Sequence, residues 1–172
     1  VVITGRVADP ALFLAPLMHA FGWRGDDWPL LGRGVLVGHL LECAAQVSGG
    51  YIADPGHFDV PDLHDVGFPL AEVQSDGTAL ITKLAGTGGC VNRLTCTAQL
   101  LYEIGAPAYL GPDVVTRFDS IRLSQDAPDR VRIAPVDGVP PPTTLKVCLN
   151  SLGGFRNAMT FVLTGLGIEA KA

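Results

Sequence analysis

The stretch TALITKLAGTGGCVNRLTCTAQLLYEI, residues 78–104, decides how the rest of the chain is read. Its first six residues, Thr78–Lys83, have the apolar, β-branched character of a strand. Gly86-Thr87-Gly88-Gly89 then makes a bend, and Arg93–Ile104 continues as a helix. Closely spaced glycines let a backbone approach a ligand and turn its N–H groups inward. A helix start adds unpaired donors and a partial positive charge. The sequence therefore predicts a seat for a phosphate or carboxylate at Gly86, Thr87, Gly88 and Gly89, with Lys83 supplying charge.

The flanks narrow that reading. Phe68–Gln74 and Thr78–Lys83 form a hairpin about Asp76-Gly77. The entry to the bend is thus antiparallel. The bend lacks the Lys and Ser/Thr of a P-loop, and Val91 stands where a dinucleotide fingerprint needs its third glycine. Nucleotide binding gains no support.

Upstream, Val1–Thr4 reads as a short buried-type strand, turned by Gly5-Arg6. Asp9 is placed to cap a helix with Pro10 at its first position and Gly22 as its stop. Ligands in open α/β sheets sit beyond the carboxyl ends of strands, so Thr4, Gly5, Arg6 and Asp9 are candidate binding residues. The competing reading makes Asp9 only a cap and Arg6 only an ion-pair partner. Trp23–Leu31 reads as a loop or a single turn capped by Asp27.

Gly34–Val47 reads as a long helix. His39, Glu42, Cys43 and Gln46 fall at i, i+3, i+4 and i+7 and share a face. His39 and Glu42 are candidates for general acid–base chemistry, with Gln46 as a binding residue beside them. A solvated polar face is the plainer alternative, although the stripe holds no Lys or Arg. If the bend and this stripe serve one site, Arg6, His39 and Gly88 should converge on a single cleft.

The connection 51–67 carries His57, His64, Asp54, Asp59, Asp62 and Asp65, residue types that can bind a divalent ion, at spacings that fit no EF-hand. The rest reads as β: Phe118–Leu123, Arg130–Ala134, Thr143–Asn150 and Arg156–Thr164. The expected fold is α/β to α+β. An N-terminal strand–helix unit and a long helix precede a mostly antiparallel β region with one helix behind the glycine loop. The expected organisation is an α/β part, residues 1–112, and a mainly β part, residues 113–172.

A chain of 172 residues with 48% hydrophobic and 17% charged residues is globular rather than disordered. Its net charge of −5 and lack of any basic run argue against nucleic-acid binding. No apolar run approaches the ~18 residues of a membrane span. Cys43, Cys90, Cys96 and Cys148 form no CxxC pair and read as reduced thiols of a cytoplasmic protein. Cys43 and Cys96 are expected in helices and Cys148 in a strand. The ends, Val1-Val2-Ile3-Thr4 and Gly167-Ile168-Glu169, look as if cut inside elements. Further N- and C-terminal parts of the same protein are therefore expected partners, as is a second copy of the chain.

The words TGRVADPALFLAPLMHAFGW, GHLLECAAQVSGGY, GFPLAEV and TALITKLAGTGGCVNRLTCTAQLLYEIGAPAYLGPDVV, in this order, resemble the acyclic terpene utilisation protein A family over nearly the whole chain. Family members often carry proline where this chain has Leu84-Ala85. The resemblance implies a setting in bacterial catabolism of citronellol- and geraniol-type compounds, whose intermediates travel as coenzyme A thioesters. It implies a small-molecule acid or acyl-CoA ligand. No cofactor is required by the sequence, and coenzyme A would enter as part of a substrate. Two alternatives stand beside an enzyme: a non-catalytic binding or assembly subunit of that pathway, and a metal-dependent enzyme using the loop Asp54–Asp65.

Overall fold

The structure is a computed structural model and describes residues 1, 3–54, 56–134, 136–147, 149–163 and 168–171. It is α+β, with helices packed on two antiparallel sheets. The helices are α1 (Ala11–Phe21), α2 (Trp28–Leu41) and α3 (Arg93–Leu101), with a single further turn at Ile168–Lys171. The strands are β1 (Pro69–Val73), β2 (Ala79–Lys83), β3 (Ala108–Leu110), β4 (Val115–Arg117), β5 (Leu123–Ala127), β6 (Arg130–Ile133) and β7 (Asp137–Val139). One sheet has the order β1-β2-β6-β5 and the other β3-β4-β7. Both sheets draw strands from either side of residue 112.

The hairpin β1–β2 forms as its pattern requires, with Leu70 opposite Thr82 and Glu72 opposite Leu80. Gly77 takes a φ of +79°, and Asp76 Oδ1 accepts from the Thr78 N–H at 2.9 Å, so the turn closes on its own side chains. β2 is buried along four of its five residues. One face meets α2 and α3 through Ile81 and Ala79, which join Leu36, Leu40, Val91, Cys96 and Val131 in the main core.

α2 is the hub. Nine of its fourteen residues are buried, including Leu31, Val35, Leu36 and Leu40. Leu36, Val37 and Leu40 enter the main core, while Leu31 and Val35 enter a second one with Leu14, Trp23 and Val114. A helix apolar on all sides is buried on all sides. Its glycines are close-approach sites: a Cβ at Gly32 would lie 2.9 Å from Gly138 Cα in β7, and one at Gly38 2.7 Å from the Pro10 backbone. Each glycine costs about 1 kcal/mol of helix propensity, and the packing it admits offsets that cost.

Several expectations need correction. Among the described residues of 1–4 there is no strand, and Val1 and Ile3 are exposed. The second helix begins at Trp28, not Gly34, because Pro29 is a helix-start residue there. It stops at Leu41, and Ala44 at φ +49° breaks the chain before a 3-10 turn, Ala44–Gln46. Phe118–Ser120 is a 3-10 turn and the strand lies later, at Leu123–Ala127. The described residues of 143–150 and 156–164 form no strand. Leu145, Leu149 and Phe161 there are exposed. Cys148 and Thr164 lie outside the described residues.

Candidate functional site

His39 sits on the last turn of α2 and is only 1% exposed. Its ring is held on both nitrogens: Nε2 lies 2.9 Å from the Gln99 carbonyl and Nδ1 3.0 Å from Glu42 Oε1. A carbonyl oxygen only accepts, so Nε2 carries a hydrogen. Nδ1 would then be a bare acceptor facing a carboxylate unless a further proton lies between them. A hydrogen bond across the Nδ1–Oε1 contact therefore requires a proton on one of the two atoms.

Gln99, on the inner face of α3, returns the contact: its Nε2 donates to the His39 carbonyl at 2.8 Å. That carbonyl lies in the last turn of α2, where helical acceptors run out. The α2–α3 crossing is thus pinned by a reciprocal pair. Tyr109 of β3 and Phe118 cover the imidazole, with ring centroids 5.9 and 5.5 Å from it.

The polar inventory around this cluster is not closed. Among the described residues, Glu42 Oε2, Gln99 Oε1 and Gln46 Nε2 are buried without a hydrogen-bond partner, and the same holds for Thr116 Oγ1 on β4. Glu42 is held mostly away from water, its side chain 8% exposed. Burial pushes the Tyr109 hydroxyl above its ordinary range, and the carboxylates of Glu42, Asp9 and Glu103 push it the same way. Burial likewise raises the Cys43 thiol, against a hydrogen bond with Gln99, and the same three carboxylates add to the rise. The surroundings of the dyad are therefore acidic.

The glycine bend lies elsewhere. Gly88 N–H donates to the Asp65 carbonyl at 2.9 Å, Gly89 N–H to Pro61 at 2.6 Å, and Cys90 N–H to Ser48 at 2.9 Å. Val91 N–H donates to Asp129 Oδ1 at 2.7 Å. Lys83, nearly buried, donates to the Thr87 carbonyl at 2.7 Å and lies 3.7 Å from Asp129. A Cβ at Gly88 would overlap the Asp62 carbonyl oxygen. Gly88 is a glycine because another backbone runs against it, and the donors named here end on protein oxygens.

The helix start behind the bend is similarly committed. Asn92 Oδ1 accepts from Leu94 and Thr95 N–H at 2.9 and 3.0 Å, and Thr95 Oγ1 accepts from Asn92 N–H at 3.0 Å. This is a capping box with Thr in place of Glu. Arg93 N–H donates to Gln125 Oε1 at 3.1 Å. Gln99, which meets His39, lies seven residues and about 10 Å of helix beyond this cap.

The structure thus brings His39, Glu42 and Gln99 together, with Gln46 Nε2 buried on the turn that follows α2. It sets Gly86, Thr87, Gly88, Gly89 and Lys83 at the other end of α3. Thr4, Gly5 and Arg6 are exposed on the N-terminal segment. Asp9 makes no side-chain cap on α1, whose N-cap is Pro10. It is instead close enough for its charge to act on Tyr109 and Cys43. Among the described residues, no three His, Cys, Asp or Glu side chains cluster as a metal site would require. Sequence reading missed Gln99, Tyr109, Phe118 and Asn92. Gln99 carried a usable signal, as an amide between Cys96 and Leu100 on the apolar face of its helix.

Over residues 1–172 the chain matches the family described as acyclic terpene utilisation family protein AtuA. The chain belongs to this AtuA family. No curated protein and no solved structure matches it. The matched span contains the hub helix, the bend and the His39–Glu42 pair. Family membership implies a part in acyclic terpene utilisation.

Proposed function

We propose that this AtuA family chain is part of a protein that acts on a branched apolar acid or its coenzyme A thioester, and that His39 and Glu42 carry a proton to or from that ligand. The observation that supports this most is Glu42 Oε2, a carboxylate oxygen buried without a partner among the described residues, beside a histidine whose two nitrogens are already engaged. A buried acceptor left unmade costs about 1–3 kcal/mol. Such an atom in reach of a protonated pair is what a general base or acid requires.

In this reading the Gln99 carbonyl fixes the imidazole tautomer through Nε2, and Glu42 shares the proton on Nδ1. Tyr109 and Phe118 exclude water from the ring. The acidic surroundings disfavour a ligand carboxylate at the dyad itself, so the charged head of the ligand binds away from it and a neutral carbon is presented.

The reading is tested by thermal shift of the full-length protein against branched ten-carbon acids, their CoA thioesters and divalent ions. A ligand at ~100 times its dissociation constant contributes about 2.7 kcal/mol. Stabilisation by the acid or thioester is expected. Stabilisation by a divalent ion alone would overturn the reading.

A further inference from the structure

A cleft of about 570 Å³ opens between the outer face of α3 and residues 118–123. Its size falls in the ~300–1,000 Å³ range of small-molecule sites. Leu100, Leu101, Ile104, Phe118 and Ile121 give it apolar walls. Arg93 and Arg122 also line it.

These two arginines differ from the others of the folded body. Arg24, Arg117, Arg130 and Arg132 each pair with a carboxylate, and Arg33 donates to the Asp76 carbonyl. Among the described residues Arg93 and Arg122 have no carboxylate partner, and the Arg122 guanidinium reaches only the adjacent Ile121 carbonyl at 3.2 Å. The acidic residue on the lining, Asp119, is already tied to Arg117 through two bonds of 3.1 and 2.7 Å. The Thr97 hydroxyl donates back to the Arg93 carbonyl at 2.7 Å. The α3 N–H groups are also spent on Asn92 and Gln125. The anion-seeking groups of the cleft are therefore the two guanidinium forks.

We infer that this cleft binds a free monocarboxylic acid with a branched hydrocarbon chain, its carboxylate on Arg93 and Arg122 and its chain along Leu100, Leu101, Ile104 and Phe118. Planar guanidinium groups match a carboxylate with two parallel bonds. The apolar walls match the chain. Phe118 serves both regions: it lines the cleft, and its ring lies 5.5 Å from that of His39. The ligand class rests on the function proposed above. The site rests on the arginines and the walls.

The test is calorimetric titration of the full-length protein with 3,7-dimethyloctanoate, its alcohol and its CoA thioester, repeated on Arg93→Gln, Arg122→Gln and the double variant. Both arginines are exposed, so the fold should hold, and an unchanged melting temperature checks it. Each single variant is expected to weaken the acid by about tenfold, as loss of a charge-assisted bond does. The alcohol is expected to bind the wild type and the double variant alike. Equal affinity of acid for wild type and double variant, or binding of the thioester without the acid, overturns the inference. So does no binding of the acid to a protein that still exchanges protons on the thioester, a result that leaves the dyad's role standing.

Discussion

Gln99 and His39 hold each other from both sides, the Gln99 amide on the His39 carbonyl at 2.8 Å and His39 Nε2 on the Gln99 carbonyl at 2.9 Å. Only the first bond uses the Gln99 side chain. Gln99→Leu should therefore leave the His39 tautomer in place while orphaning the α2 carbonyl, at a cost of about 1–3 kcal/mol. Urea unfolding gives the loss, and ¹⁵N NMR of the imidazole gives the tautomer. A ring hydrogen that leaves Nε2 in this variant would contradict the assignment.

Gly88 and Gly86 are glycines for different reasons, and alanine separates them. At Gly86 the backbone has φ +80° and nothing among the described residues stands within 4 Å of a new Cβ, so Gly86→Ala should cost about 1–2 kcal/mol from conformation alone. At Gly88 the new Cβ meets the Asp62 carbonyl, so the loop 61–67 must move and the cost should reach about 3 kcal/mol. Thermal unfolding of both variants should rank Gly88→Ala as the more damaged. The reverse order would mean that the bend is not a packing joint.

Asn92 closes the start of α3 with two accepted bonds. Asn92→Ala should cost about 1 kcal/mol, and Asn92→Ser or Asn92→Asp should recover most of it. Denaturant midpoints at constant slope would measure this.

Cys96 supplies a pH test. Burial pushes its thiol up to about 12. Unfolded, a cysteine ionises near ~8.5. Above that pH the unfolded chain gives up a proton that the folded chain keeps. Stability is thus unaffected below the unfolded value and falls as pH rises towards 12, by at most about 1.4 kcal/mol per pH unit. Cys96→Ala should remove that slope at the price of a small cavity. In the native protein Cys96 should also resist alkylation that reaches the partly exposed Cys90.

Much of the fold was legible, and the reason is local chemistry. Asp76-Gly77 and the alternation around it define β1–β2, and Gly22 ends α1 in the left-handed conformation expected of it. The failures are non-local. β3, β4 and β7 are three residues each, too short to leave a period, and exist through pairing across the chain. The strands expected in 143–150 and 156–164 had the right residue types, but Leu145, Val147, Leu149, Phe161 and Val162 stay largely exposed there.

The site was legible in its types but not in its company. His39 and Glu42 stood out as i, i+3 polar residues without nearby Lys or Arg, and the structure joins them. Gly86–Gly89 reads as a ligand cradle because spacing reports backbone freedom, and within it Gly88 and Gly89 give their N–H groups to protein carbonyls. The carbonyls of Asp65, Pro61 and Ser48, which accept from the Gly88, Gly89 and Cys90 N–H groups, come from loops that no periodicity predicts.

The central claim is that the proton shared by His39 and Glu42 moves to and from a carbon of the ligand. It is tested by incubating the full-length protein with the CoA thioester of a branched ten-carbon acid in D₂O and following deuterium uptake into the acyl chain by mass spectrometry. The wild type should incorporate deuterium, and Glu42→Gln and His39→Gln, checked for folding by circular dichroism, should be slower by ~10²–10⁴-fold. Uptake at the wild-type rate in a folded Glu42→Gln protein would contradict the account.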